Sequence, residues 1–82
     1  MTSITLYGRP GCHLCDEARE AILGLRGRGF ELELLDVNIE DDERLHSSYL
    51  ERIPVVELDG ELFSELVLDV DALRARLDTV RA

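Results

Sequence analysis

The sequence has no tryptophan, no lysine, and only two tyrosines and two phenylalanines among its 82 residues. Without lysine the chain cannot form a Schiff base or use an amine as a general base, and all nine of its basic residues are arginines. Eighteen acidic residues bring the formal net charge to −9. Because such a charge repels phosphate backbones and anionic lipid head groups, nucleic-acid binding and membrane-surface binding are both disfavoured.

Long hydrophobic runs are absent as well. The apolar stretches are only a few residues long, far short of the roughly 20 residues that cross a bilayer. Met1 leads into a polar-apolar alternation rather than into the apolar centre of a signal peptide. We therefore expect a cytoplasmic protein with no membrane segment. The length suits one hydrophobic core, which predicts a single domain over residues 1–82.

The first third of the chain predicts a strand followed by an amphipathic helix. Ile4 and Leu6 alternate with more polar neighbours, which is typical of a strand over residues 3–7. The next apolar positions recur at spacings of three and four, which predicts a helix that ends in the glycine-rich stretch 24–29. The core-facing residues of this helix are expected to be Leu14, Cys15, Ala18, Ala21, Ile22 and Leu25.

The middle of the chain predicts a second strand and a second helix. Alternating apolar residues from Phe30 to Val37 indicate the strand. Asn38 follows as the expected N-cap of the helix, and the acidic residues at 40–43 stand where the helix dipole favours negative charge. This helix must end before Ile53, because the residue before a proline is pushed away from helical dihedral angles.

The last third predicts a hairpin and a final helix. An apolar run from Val55 to Leu58 precedes Asp59-Gly60, which is the strongest hairpin dipeptide, and another strand follows it. Apolar residues then recur at helical spacing, with Asp69 or Asp71 as the start signal. They are Val70, Leu73, Leu77 and Val80.

This element order predicts an α/β fold. A strand-helix-strand opening gives a parallel pair with a right-handed crossover, whereas the Asp59-Gly60 turn requires an antiparallel pair. We therefore predict the chain order β-α-β-α-β-β-α, with a four-stranded mixed sheet and helices on both of its faces.

The two cysteines are the strongest functional signal. They lie three residues apart where the first strand gives way to the first helix, so Cys12 is expected at the helix N-terminus, where backbone N–H groups stabilise a thiolate. Cysteines in this position have pKa values lowered from about 8.5 to roughly 3.5–7.5, and the nearby Asp16 and Glu17 oppose that effect. Cys15 falls on the core-facing stripe. We therefore predict an exposed, attacking Cys12 and a buried, resolving Cys15.

Two other interpretations of the cysteine pair stay open. A zinc site would need four ligands, and besides the two cysteines the chain offers only His13 and His46 as histidines. Two unconnected core cysteines are the other alternative. A Cys-x-x-Cys pair at a strand-to-helix junction favours redox chemistry over both, and no metal site is predicted.

Three segments of the sequence resemble the glutaredoxin-like branch of the thioredoxin fold superfamily. The resemblance covers nearly the whole chain and implies a thioredoxin-like fold with thiol-disulfide oxidoreductase activity. The segments are Tyr7-Gly8-Arg9-Pro10-Gly11-Cys12-His13-Leu14-Cys15, Arg52-Ile53-Pro54-Val55-Val56, and the Asp59-Gly60 hairpin that leads into the last helix.

The resemblance implies roles for the residues around the cysteines. Pro54 would form a cis peptide bond and pack opposite the cysteines, and Ile53 would present its backbone to the substrate. Arg9 would help to bind a carboxylate of glutathione, with a solvated loop arginine as the alternative. A protonated His13 would stabilise the Cys12 thiolate, although a positive ring at a helix N-terminus works against the dipole.

Glutathione is the co-substrate that the resemblance suggests. Members that use it usually carry a Gly-Gly pair after the last strand, where this chain has Ser64-Glu65. Because Glu65 would add bulk and negative charge there, we expect glutathione to be used weakly. No metal or organic cofactor is expected.

We therefore predict a monomeric oxidoreductase that reduces a disulfide in a protein or a small-thiol substrate and is re-reduced by a thiol reductant or a reductase. Two alternatives belong to other classes. One is a dimer that shares a glutathione-ligated 2Fe-2S cluster through Cys12. The other is a catalytically idle module that uses the groove at Pro54 to hold a partner.

Overall fold

A computed structural model describes residues 1–81, with side chains through Thr79, and its strands and helices follow the predicted order. The elements are β1 (Thr2–Gly8), α1 (His13–Gly27), β2 (Leu32–Asn38), a short 3-10 helix (Ile39–Asp41), α2 (Glu43–Tyr49), β3 (Val55–Leu58), β4 (Glu61–Glu65) and α3 (Val70–Arg81).

The sheet has the strand order β2-β1-β3-β4 and mixed strand directions. β1 and β2 are parallel along their full lengths, because α1 returns the chain to the same end of the sheet. β3 is antiparallel to both of its neighbours. The turn between β3 and β4 is Asp59-Gly60, whose φ angles of 49° and 86° suit a two-residue hairpin. The predicted mixed α/β architecture is confirmed.

The main core lies between the sheet and the helices α1 and α3. α1 contributes Ala18, Ile22 and Leu25 to it, as predicted, whereas the predicted core residues Ala21 and Leu14 are half-buried and 43% exposed, respectively. Leu14 precedes Cys15 by one residue, which rotates it about 100° around the helix and out of the stripe. The buried residues of this core are Ile4, Leu6, Ala18, Ile22, Leu25, Leu32, Val56, Leu58, Leu73 and Leu77. The side chain of Val80 lies outside the described residues.

The opposite face of the sheet carries a thinner layer formed by α2. Tyr7 points away from the buried Leu6, and its ring lies 5.0 Å from that of Tyr49 in α2. α2 has no fully buried residue among its seven, so its packing depends on half-buried side chains. A second, smaller hydrophobic cluster, formed by Cys15, Ile39 and Ile53, joins this layer to α1.

The prediction that Asn38 caps the second helix is wrong. Its side chain accepts the N–H of Glu40 at 2.9 Å and so begins the 3-10 helix instead. This short turn places Ile39, which is fully buried, in the second cluster. Asp42 is the N-cap of α2 and accepts the N–H of Arg44 at 2.8 Å. The two capping side chains therefore split the acidic segment into two helical turns.

The start of α3 settles the choice between Asp69 and Asp71. Asp69 accepts the N–H of Ala72 at 3.1 Å, which is the geometry of an N-cap. Within residues 1–81, none of the helices has the length and apolar character needed to cross a membrane.

Candidate active site

Cys12 and Cys15 form a disulfide at the point where the loop after β1 enters α1. Cys12 is the N-cap of α1, with an extended backbone, and its sulfur accepts the N–H of Cys15 at 3.2 Å. The Cα atoms of the two residues are 5.2 Å apart. The Cys12 sulfur is therefore placed at the positive end of the helix dipole, where a thiolate would be stabilised after reduction.

The two cysteines differ in exposure in the predicted order, although Cys12 is half-buried where the sequence predicted an exposed residue. Cys15 is fully buried in the second cluster, whereas Cys12 is half-buried and packs against it. The bond between them excludes two unconnected core cysteines. Among the side chains described, no group of three or more histidine, cysteine or acidic residues is placed to hold a metal ion. The described side chains therefore offer no set of ligands for the zinc site considered above.

Gly8 makes room for Cys15, a function that sequence analysis missed. A β-carbon at Gly8 would lie 2.9 Å from the sulfur of Cys15 and 3.0 Å from its β-carbon. Such contacts are closer than packed atoms allow. The glycine thus lets Cys15 sit directly against the end of β1. Its position in the sequence, seven residues before Cys15, indicated only the end of a strand.

Ile53 is brought to the cysteines, and the peptide bond between Ile53 and Pro54 is cis, as the resemblance implies. Both residues are buried, and Ile53 belongs to the same cluster as Cys15. The Ile53 N–H donates to the carbonyl of Tyr49 at 3.0 Å. A substrate that paired with this N–H would therefore have to displace Tyr49.

Arg9 and His13 lie on the exposed side of the cysteine pair. The carbonyl of Arg9 accepts the N–H of Cys12 at 3.3 Å, while its side chain lines an open concavity beside Asp36 and Asn38. His13 is 86% exposed, and its Nε2 lies 3.5 Å from a carboxylate oxygen of Glu17. Both residues are exposed, but the concavity that Arg9 lines contains neither cysteine, and His13 has an acidic partner on its own helix.

The acidic side chains near Cys12 are partly neutralised. Arg19 donates to Asp16 at 2.9 Å and, through its other nitrogens, to Asp36 at 2.9 and 3.1 Å. The hydrogen bonds that Arg19 donates to Asp36 and then to Asp16 raise the pKa of Arg19, which stays charged. The opposition that Asp16 offers to a Cys12 thiolate is therefore weaker than the sequence alone suggested.

A chain of polar and aromatic contacts supports the Pro54 side of the site. Arg52 forms an ion pair with Glu65, and its guanidinium lies 5.0 Å from the centre of the Tyr49 ring. The Tyr49 ring in turn packs on Tyr7, whose hydroxyl donates to Glu57 at 2.9 Å. Burial, and then this hydrogen bond, raise the pKa of Tyr7 to about 12. Tyr7 is therefore a neutral donor at physiological pH.

The end of β4 is also tied to the segment before Pro54 by its backbone. The N–H of Leu66 donates to the carbonyl of Arg52 at 3.0 Å, and the N–H of Val67 donates to the carbonyl of Glu65 at 2.8 Å. Leu66 has a φ of 65°, a conformation that side-chain-bearing residues rarely adopt. These contacts hold Arg52 and Glu65 beside the Ile53-Pro54 segment.

Comparisons with known proteins agree with this geometry. A family model described as Glutaredoxin-like domain (DUF836) matches residues 3–78. The Glutaredoxin-like protein YDR286C homolog of Dictyostelium discoideum is 26% identical over 83 residues, which cover 95% of this chain and 77% of that protein.

Solved structures give the same result. The X-ray structure of protein XcR50 from X. campestris is 40% identical, with a TM-score of 0.74, over 93% of this chain and 96% of that one. Thioredoxin O2 of Arabidopsis thaliana, in its oxidized state, is 20% identical with a TM-score of 0.65, over 98% of this chain and 75% of that one. The second likeness concerns the fold alone, and it confirms the thioredoxin-like architecture.

Proposed function

The chain belongs to the glutaredoxin-like domain family, and from that membership we propose that it is a dithiol-disulfide oxidoreductase that acts through Cys12 and Cys15. One observation carries the proposal: a disulfide joins a half-buried sulfur at a helix N-terminus to a fully buried sulfur three residues later. A substrate can reach only the first sulfur directly.

In the first step, the Cys12 thiolate of the reduced protein attacks one sulfur of a substrate disulfide. A bond forms between Cys12 and that sulfur, the substrate S–S bond breaks, and the second substrate sulfur leaves as a thiolate that takes a proton from solvent. The N–H of Cys15, which points at the Cys12 sulfur, and the dipole of α1 favour the ionised attacker.

In the second step, the Cys15 thiolate attacks the Cys12 sulfur of the mixed disulfide. The Cys12–Cys15 bond forms, and the substrate leaves as a second thiol. One disulfide has then been reduced to two thiols, and the protein dithiol has been oxidised to its disulfide. A thiol reductant or a reductase returns the protein to the dithiol by the reverse exchange.

Four further residues are proposed to contact the substrate. Ile53 belongs to the cluster that contains Cys15 and against which Cys12 packs, and Pro54 follows it as a buried residue after a cis peptide bond. This placement supports a role for this backbone segment in aligning the substrate once the Ile53 N–H is released from Tyr49. Arg9 and His13 stand in the exposed surface beside Cys12 and would supply positive charge to an incoming substrate, His13 only when protonated. Their contribution is expected to be electrostatic and therefore to fall with salt.

The proposed reaction needs no metal or organic cofactor, because the two sulfurs exchange electrons with the substrate directly. Glutathione is proposed as one co-substrate among other thiols, and the presence of Glu65 predicts that it is used weakly. We propose that the protein acts as a monomer in the cytoplasm, where thiol reductants keep such a pair reduced.

Single-turnover reduction of a neutral model disulfide tests the proposal. The pre-reduced protein should become oxidised while the model disulfide yields two thiols, as followed by mass after alkylation. Cys12→Ser should abolish the reaction, and Cys15→Ser should accumulate the mixed disulfide. The double serine variant measures the background. Full activity of Cys12→Ser would overturn the proposal, and binding of a partner without turnover in the native chain would favour the idle module instead.

A further inference from the structure

The ion pair between Arg52 and Glu65 lies at the β4 edge of the sheet, beside the Ile53-Pro54 segment that is proposed to contact the substrate. Arg52 directly precedes Ile53 and Pro54, and Glu65 stands opposite Val55 in the β3–β4 pairing. The two side chains are 42% and 35% exposed, so a ligand that reached this edge would meet both of them. The carbonyl of Arg52 and the N–H of Leu66 are joined as well, which keeps the pair in place.

This pair leaves little positive charge for an anionic ligand. Part of the guanidinium fork of Arg52 is already used by Glu65, and one of its faces lies over the ring of Tyr49. A carboxylate that approached Arg52 would therefore compete with Glu65 and be repelled by it. His13, which carries charge only when protonated, lies 3.5 Å from a carboxylate oxygen of Glu17. The net charge of −9 adds a repulsion that acts at longer range.

We propose that Glu65 makes the site select disulfides that lack carboxylates, so that the preferred substrates carry neutral or cationic groups beside the reacting sulfurs. This inference rests on the proposed function and names the substrate class for the same two cysteines. Glu65 acts by satisfying Arg52 and by presenting its own negative charge to the ligand. Arg9, in the loop before Cys12, would favour the opposite preference, so the proposal requires that Glu65 outweighs it.

Three small disulfides of similar size provide the test: cystamine, bis(2-hydroxyethyl) disulfide and 3,3′-dithiodipropionate, which are cationic, neutral and anionic at neutral pH. Each reacts with the pre-reduced protein in a single turnover, in which Cys12 attacks and Cys15 closes the disulfide to release two small thiols. Each rate constant is divided by that of the same disulfide with dithiothreitol, which removes differences in intrinsic reactivity.

For the native protein the normalised rate constant should decrease from cystamine to bis(2-hydroxyethyl) disulfide to 3,3′-dithiodipropionate. Glu65→Gln keeps an oxygen that can accept from Arg52 and removes the charge. It should raise the normalised rate with dithiodipropionate by about fivefold, the size expected for one unit charge near a protein surface, and change the neutral probe little. Glu61→Gln is the matched control, because Glu61 is exposed at the start of the same strand and the variant has the same net charge.

Salt separates the local effect from the overall field. At about 0.01 M salt both variants should lower the ratio of the normalised rate constant for cystamine to that for dithiodipropionate. At about 0.15 M salt only Glu65→Gln should lower this ratio. The inference would be overturned if Glu65→Gln and Glu61→Gln had the same ratio of rate constants at the higher salt. It would also be overturned if the native protein reacted faster with dithiodipropionate than with cystamine. Failure of the proposed function has a different signature, which is the absence of reaction with the neutral disulfide.

Discussion

Gly8 and Cys15 are packed so closely that a single added carbon would overlap: a β-carbon on Gly8 would lie 2.9 Å from the Cys15 sulfur. Gly8→Ala should therefore push the buried sulfur away from β1. We expect a loss of about 1–3 kcal/mol in the free energy of unfolding of the oxidised protein, as for other overpacked cores. Urea denaturation measures this loss, and alkylation of the reduced protein should show a more accessible Cys15.

Gly24→Ala is the control for this substitution. Gly24 lies within α1, and nothing stands within 4 Å of the position that its β-carbon would take. The change should raise the free energy of unfolding by about 0.5–1 kcal/mol, because alanine is the better helix former. Equal effects of the two alanines would show that Gly8 is not needed for the packing of Cys15.

Tyr7 should make the protein sensitive to alkaline pH. Its pKa is raised to about 12 in the folded protein, against roughly 10 in an unfolded chain. Between these two values the unfolded state has lost the hydroxyl proton and the folded state has kept it, so folding stability falls as pH rises. The stabilisation of the folded protein that comes from the raised pKa of Tyr7 is fully present below about pH 10 and is lost as the pH rises through about 12.

In Tyr7→Phe the free energy of unfolding should therefore fall less steeply with pH above pH 10 than in the native protein. Urea denaturation at a series of pH values, with absorbance at 295 nm to follow tyrosinate, measures the slope. Tyr49→Phe is the control, because it leaves the hydrogen bond between Tyr7 and Glu57 in place. Parallel slopes for the native protein and Tyr7→Phe would contradict the assignment of this titration to Tyr7.

Arg19 should influence the reactivity of Cys12 without touching it. Arg19→Gln removes the charge that neutralises Asp16, which lies on the first turn of α1. The released negative charge should disfavour the Cys12 thiolate and move its pKa upward. The pH dependence of iodoacetamide alkylation of the reduced protein measures the shift. The control Arg26→Gln removes a charge from the last turn of the same helix. It should not change the pH dependence of Cys12 alkylation.

The parts of this fold that could be predicted from the sequence are those set by short-range periodicity. The spacing of three and four residues in α1 identified Cys15 as buried, and Asp59-Gly60 identified the hairpin. The prediction that Leu14 faces the core was wrong, because a stripe of apolar residues in the sequence does not show where the buried face of the helix ends.

The contacts that were missed join distant residues. Tyr7 and Glu57 are 50 residues apart, and Arg52 and Glu65 are 13 apart across two strands and a turn. No periodic pattern encodes such pairs, because they depend on the strand order β2-β1-β3-β4 and on the register. Asn38 was misassigned for a related reason: both Asn38 and Asp42 are good caps, and the burial of Ile39 between them decides which turn each one begins.

Leu66 gives a test of the backbone at the edge of the site. Its φ of 65° lies in the left-handed region, which costs a side-chain-bearing residue roughly 1–2 kcal/mol and costs glycine almost nothing. Leu66→Gly relieves this strain, although it also loses the packing of a side chain that is 50% exposed. Leu62→Gly, in β4, removes a side chain of nearly the same exposure, 55%, from a residue whose φ is not in the left-handed region. We expect Leu66→Gly to be more stable than Leu62→Gly by about 1 kcal/mol or more in urea denaturation, and equal stabilities would mean that residue 66 is not held in the left-handed region.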